Sequence, residues 1–318
     1  MDMFFWRRWI LKKPSLQGTA SRLGIGGHII SVKGVELWYE SFGNPTAPAI
    51  LLIMGAGCQG IFWTESFCLQ LVEKGFFVIR FDNRDTGFSS YFKYKKNPYN
   101  FMDMALDALG ILDNLGINKA HLMGISMGGA IAQLLAANFP SRVSSLTLLA
   151  TTNDFRPIAA VIEKRPAIGE TLSSPHKEWF DWIKELEALP SWAFKRKISK
   201  HLKGWKILNG NGVLFEEKYY KRLMMESIKR QRSFFSILNH REALLASVSL
   251  MLKTKVPSGI PTLIVHGGCD PLFPKDHAQH LASSIQGSEL LLLDTMGHNF
   301  TRQFYPEVLA RVAMFLKG

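Results

Sequence analysis

Short apolar runs recur along this chain, and most are followed by a segment with helical spacing. That alternation constrains the fold more than any bulk property does. A-I-L-L-I-M (Ala49–Met54) is apolar throughout, as a strand covered on both faces must be. F-F-V-I-R-F-D (Phe76–Asp82), K-A-H-L-M-G-I (Lys119–Ile125) and S-S-L-T-L-L-A (Ser144–Ala150) read as further strands. Helices are predicted between them, near Trp63–Lys74, over Asp103–Leu115 before Gly116, and over Met127–Asn138 before Pro140. Upstream, H-I-I-S-V-K-G-V-E-L-W-Y-E from His28 reads as two short strands about a turn at Lys33-Gly34. The pattern resumes late, with a strand at Ile260–Gly267, a helix at Lys275–Ile285, a strand at Ser288–Asp294 and a helix over about Phe304–Leu316. Strands alternating with helices imply an α/β protein with a mostly parallel, doubly wound sheet.

Residues 151–256 interrupt the alternation. They are rich in charge and tryptophan, mostly helical in pattern, and too long for a loop. Such a block is expected to be a cap, or lid, inserted at the carboxyl ends of the strands, where these sheets bind ligands. The expected organisation is an N-terminal extension (1–27), a core (28–150 and 257–318) and a helical cap (151–256). With 318 residues, 47% of them hydrophobic, the chain can bury a large core.

The net charge of +12 is unevenly placed. Residues 1–13 carry a net +3 and residues 151–256 a net +9, which leaves the rest neutral. A basic nucleic-acid-binding fold is therefore not expected. The charge suggests a local preference for anionic partners. In M-D-M-F-F-W-R-R-W-I-L-K-K the apolar run is broken by Arg7 and Arg8, too early for a spanning helix or a signal peptide. A frayed or self-packed tail is expected of it; its aromatics and cations would also suit peripheral contact with an anionic membrane, together with the cap. Cys58, Cys68 and Cys269 fit neither a metal site nor a disulfide framework, so free thiols and a cytoplasmic setting are expected.

The chemistry concentrates in H-L-M-G-I-S-M-G-G-A (His121–Ala130). Alone, G-x-S-x-G would arise by chance in about one chain in ten of this length. Here, however, Ser126 follows a strand and opens a helix, the setting of a nucleophile elbow. So tight a turn strains the serine backbone and requires small neighbours, Gly124 and Gly128. A serine hydroxyl needs a base. His298, in D-T-M-G-H-N-F after the last strand, can take and return the proton near neutral pH. Asp270, in H-G-G-C-D-P-L-F-P after the preceding strand, can fix the imidazole tautomer. The oxyanion needs two donors. Met127 N–H follows the nucleophile, and the loop M-G-A-G-C-Q-G after the Ala49–Met54 strand offers Ala56 N–H.

Taken together, I-M-G-A-G, F-D-N-R-D-T-G-F-S, G-I-S-M-G-G, H-G-G-C-D-P and G-H-N resemble the α/β-hydrolases from about His28 to the C-terminus. M-G in place of the commoner H-G, with R-D-T-G downstream, is similar to the aclacinomycin methylesterase-like branch. The resemblance implies hydrolysis of a carboxylic ester without a cofactor or metal. It implies a Ser126–Asp270–His298 triad, with Ala56 and Met127 as oxyanion donors. Neither the substrate nor the N-terminal stretch is covered by it.

Rival readings accompany these residues. Asp154 is the nearest alternative acid. Asp82, Arg84 and Asp85 are expected to be structural, and His121 and His266 to be core histidines. Cys58 and Cys269 are expected to be packing residues. Trp179, Trp182, Trp192 and Trp205 are expected in the core of the cap, and Lys195–Lys206 on a solvated helix face. The leading function is a serine esterase acting on a small-to-medium hydrophobic substrate. A lipase or acylglycerol hydrolase at an anionic interface is the first alternative. A non-catalytic binding protein is the second, disfavoured because all three triad residues are present. The oligomeric state is not given by the sequence.

Overall fold

The computed structural model describes residues 27–166, 169, 172–188, 194–233 and 238–317. The N-terminal stretch before Gly27 and Trp192 lie outside these residues. Among the described residues eight strands form one sheet: β1 (His28–Val32), β2 (Val35–Phe42), β3 (Ala49–Ile53), β4 (Phe77–Phe81), β5 (Ala120–Ile125), β6 (Val143–Leu149), β7 (Thr262–Gly267) and β8 (Glu289–Leu293). Their spatial order is β1-β2-β4-β3-β5-β6-β7-β8. Among the described residues only the pairings made by β2, with β1 and with β4, are antiparallel. The expected mostly parallel, doubly wound sheet is thus observed.

Strand periodicity sorts the core into two layers. Leu51, Ile53, Ile79 and Phe81 face one layer, while their alternates Ile50, Leu52 and Val78 face the other. The first layer is closed by α2 (Phe101–Asn114) and α3 (Met127–Asn138), through residues such as Met104, Ile111, Ile131 and Leu134. The second is closed by α1 (Glu65–Glu73) and the C-terminal helix Tyr305–Lys317, through Phe67, Leu71, Val308 and Val312. Helix α2 starts where it does because Asn100 and Asp103 form a capping box.

Between β6 and β7 the chain forms five helices among the described residues: α4 (Arg156–Ile162), α5 (Lys177–Glu187), α6 (Phe194–Ile207), α7 (Glu217–Arg230) and α8 (Leu238–Lys253). Beyond β7, α9 (Lys275–Ser284) and α10 (Tyr305–Lys317) complete the fold. The inserted helices have a small core of their own, in which Leu202, Tyr220 and Met224 pack with Trp205 and Phe215. Trp182 is buried and donates its indole N–H to the Lys200 carbonyl. Lys200 and Lys203 of α6 both reach Glu185 of α5, so part of the basic run pairs within the insert. No helix of the described residues is long and apolar enough to cross a membrane.

One buried ion pair ties the insert to the sheet. Arg230, the last residue of α7, donates to Asp82 Oδ2 at 2.7 Å and to Gln59 Oε1 at 3.0 Å. Its guanidinium lies 4.0 Å from the Trp38 ring and 4.4 Å from the Phe88 ring. Asp82 also accepts from Gly60 N–H and Phe88 N–H. The structural reading of Asp82, Arg84 and Asp85 fits these partners: Arg84 pairs with Asp107 through Nε and Nη2, and Asp85 accepts from Tyr99 and Asn239. Arg230→Met would strand the Asp82 carboxylate in the interior. Breaking a buried pair from one side costs about 3–5 kcal/mol. Urea unfolding of the variant should show a loss of that size, and an unchanged midpoint would refute the anchoring role.

Candidate active site

The turn from β5 into α3 holds Ser126 at φ 55° and ψ −122°, a backbone conformation few non-glycine residues adopt. Its surroundings show why the neighbours are glycines. A Cβ on Gly124 would lie 2.3 Å from the Gly128 carbonyl oxygen. One on Gly128 would lie 2.1 Å from the Ile53 carbonyl oxygen, and one on Gly129 2.6 Å from Thr151 Cγ2. The turn is held by Ser126 N–H donating to Leu149 O at 2.9 Å and Thr151 Oγ1–H donating to Ser126 O at 2.7 Å. Ser126 is partly accessible at the N-terminus of α3, where the helix dipole favours negative charge.

The loop after β3 runs beside this turn. A Cβ on Gly55 would lie 3.2 Å from Ser126 Cβ, a tight contact that the glycine relieves where the loop passes the turn. Ala56 is exposed and Met127 is buried. Among the described residues neither of their N–H groups makes a hydrogen bond. Asn83 Nδ2 holds the start of the loop through the Met54 carbonyl at 3.0 Å.

Asp270 follows β7 and His298 follows β8, as the sequence placed them. The structure joins them: His298 Nδ1–H donates to Asp270 Oδ2 at 2.8 Å. The other carboxylate oxygen accepts from Leu272 N–H at 2.8 Å and Phe273 N–H at 2.9 Å. Burial alone would push the Asp270 carboxyl up. The charge and hydrogen bond of His298, with His266 and the Phe273 N–H, hold it below the usual carboxylate range. The Phe273 ring lies edge-on to the His298 imidazole, with centroids 5.5 Å apart. Among the described residues no hydrogen bond joins Ser126 to His298; such contacts are often long before substrate binds and tighten in the complex.

Asp154 is committed elsewhere. It accepts from Arg156 at Nε, Nη2 and the backbone N–H. His266 is fully buried and donates Nε2–H to Phe273 O at 2.8 Å, so it fixes the Asp270 loop from below. His121 is half-buried and bonded to Ser145. Desolvation pushes the Cys58 thiol up to about 12, although the residue as a whole is partly exposed, so it is no ready nucleophile.

Two features of the site carry no sequence motif. The segment after α6 clasps both sides of His298: Gly297 N–H donates to Asn209 O at 3.2 Å and Asn299 N–H to Leu208 O at 2.9 Å. The second is His240 of α8, which donates or accepts at both ring nitrogens within the loops around Ser126.

The sequence profile of the alpha/beta hydrolase fold matches residues 48–301, a span that includes all five of these candidate residues. The chain belongs to the alpha/beta hydrolase family. Within that family it is 33% identical over 269 residues to the rhodomycin D methylesterase DnrP of Streptomyces peucetius, covering 83% of this chain and 89% of that one. It is 32% identical to the rhodomycin D methylesterase DauP of Streptomyces sp. strain C5, over 85% of this chain and 91% of the relative. These relatives agree with the branch that M-G-A-G and R-D-T-G pointed to. The fold is shared with an esterase from Exiguobacterium antarcticum, at a TM-score of 0.70 and 21% identity over 92% of this hydrolase chain and all of the other.

Proposed function

We propose that this hydrolase cleaves a carboxylic ester of a small-to-medium hydrophobic substrate through a Ser-His-Asp acyl-enzyme mechanism. The observation that carries the proposal is the 2.8 Å Asp270–His298 bond, formed on the same rim of the sheet as the strained Ser126. The carboxylate takes Nδ1–H and so leaves Nε2 as the basic nitrogen. His298 Nε2 accepts the Ser126 proton as Oγ bonds to the ester carbonyl carbon. The carbonyl oxygen becomes an oxyanion and is held by the Ala56 and Met127 N–H groups. As the carbon–oxygen bond to the alcohol breaks, the same proton passes to the leaving oxygen. Water then repeats the sequence, giving its proton to Nε2 and releasing the acid and Ser126.

The two methylesterase relatives support a methyl ester as the bond cut. In this reading residues 151–256 act as a cap and set the choice of substrate. The three free cysteines support a reducing, cytoplasmic setting. Assay of the purified full chain against p-nitrophenyl esters of graded acyl length, and against methyl esters of hydrophobic acids, tests the proposal. Turnover with a preference among acyl groups is expected. No release of alcohol from any ester would overturn it.

A further inference from the structure

We propose that His240 is a positioning residue that holds the oxyanion loop in its working shape. This role rests on Ala56 serving as an oxyanion donor in the proposed ester hydrolysis. His240 is 1% exposed and belongs to α8, the last inserted helix. Gly57 N–H donates to its Nδ1 at 3.0 Å, and its Nε2 lies 2.7 Å from the Arg84 carbonyl oxygen. A backbone N–H can only donate and a carbonyl can only accept. The two partners therefore fix one tautomer, a neutral ring with the proton on Nε2. Burial also favours the neutral ring.

Both ends of this bridge have defined positions. Arg84 is held by Asp107 at 2.6 and 2.7 Å, which sets where its carbonyl lies. The neighbouring Asn239 donates to Asp85 Oδ2 and to Phe92 O, each at 3.0 Å, and Ser247 one face along α8 accepts from Phe101 N–H at 2.8 Å. Helix α8 is thus fastened to the loop after β4 and to the start of α2 independently of His240. At the other end, Gly57 has φ 74°, in the left-handed region, and Cys58 N–H closes a turn onto Gly55 O at 3.3 Å. The Nδ1 bond fixes the peptide plane that immediately follows Ala56. A glycine-rich loop has little else to restrain it. Without that bond the Ala56 N–H could swing away from the position where charge develops, and the transition state would lose more than the bound ground state.

Two substitutions separate positioning from bulk packing. In His240→Asn, Oδ1 occupies nearly the place of Nδ1 and can still accept from Gly57 N–H. In His240→Gln, the amide reaches toward Arg84 O and the acceptor at Nδ1 is lost. His240→Gln should lower kcat about 10- to 100-fold with KM little changed, less than the roughly 10²- to 10³-fold for deleting an oxyanion donor. His240→Asn should recover most of that loss. Equal kcat in both variants, whether high or low, or a loss confined to KM, would overturn the proposal. Ser126→Ala in the same assay keeps the two readings apart: if it still turns over ester, the serine mechanism fails whatever His240 does. Should neither His240 variant fold, ring ¹⁵N shifts in the wild-type chain decide the matter. An unprotonated Nδ1 is expected, and a protonated Nδ1, which could not accept from Gly57, would overturn the bridge.

Discussion

Ser126→Ala is expected to lower kcat for ester hydrolysis by about 10⁶-fold, the order seen when an activated serine is removed from a triad. Labelling by a fluorophosphonate probe should vanish with it. The effect is large because no neighbouring group can substitute. Oγ is delivered by a turn that the chain makes only with glycine at 124, 128 and 129, where any Cβ would collide with backbone or with Thr151. Cys58 lies in the adjoining loop, but desolvation keeps its thiol protonated at neutral pH. The residual rate should come from the oxyanion donors and substrate binding alone. Equal labelling of wild type and Ser126→Ala would reject Ser126 as the nucleophile. No labelling of wild type, together with no turnover, would instead favour a binding protein on this fold.

Much of this candidate site was legible in the sequence because its requirements are local. Strands covered on both faces leave little room for polar side chains, so Ala49–Ile53 reads as an apolar run and Phe77–Phe81 as one broken only by Arg80, which is paired with Glu40; both are buried throughout in the structure. The elbow announces itself because its steric demands fall two residues to either side of Ser126. Asp270 and His298 stand in loops directly after strands, and a parallel sheet brings the carboxyl ends of those strands to one rim. What stayed hidden is the way the inserted helices grip the site. His240 and Gly57 are 183 positions apart, and Arg230 and Asp82 are 148 apart. The partners of His240 are backbone groups, which every residue has, so no residue type marks the pairing. Leu208 and Asn209 act on Gly297 and Asn299 through carbonyl oxygens, which leave no trace in side-chain identity. In sequence, His240 is one histidine in a helix whose buried face is otherwise Ala243, Leu244, Ser247 and Met251.

The choice of acid gives the second large effect. Asp270→Asn should lower kcat about 10⁴-fold with KM nearly preserved, because the amide cannot stabilise the imidazolium and can turn the ring to the wrong tautomer. Asp154→Asn should leave kcat close to wild type. The structure separates the two carboxylates by their partners: Asp270 spends one oxygen on His298 and the other on two backbone N–H groups, whereas Asp154 is occupied by Arg156. The pH dependence of stability adds a check. Folding holds the Asp270 carboxyl below its unfolded value, so its contribution is present above that unfolded value and is lost as pH falls through the folded one. The stability gap between wild type and Asp270→Asn should therefore be widest near neutral pH and narrow only as the solution becomes more acidic than the usual carboxylate range. Kinetics of both variants against one ester, with urea unfolding at several pH values, test the assignment. Loss of activity in Asp154→Asn with retention in Asp270→Asn would reverse it.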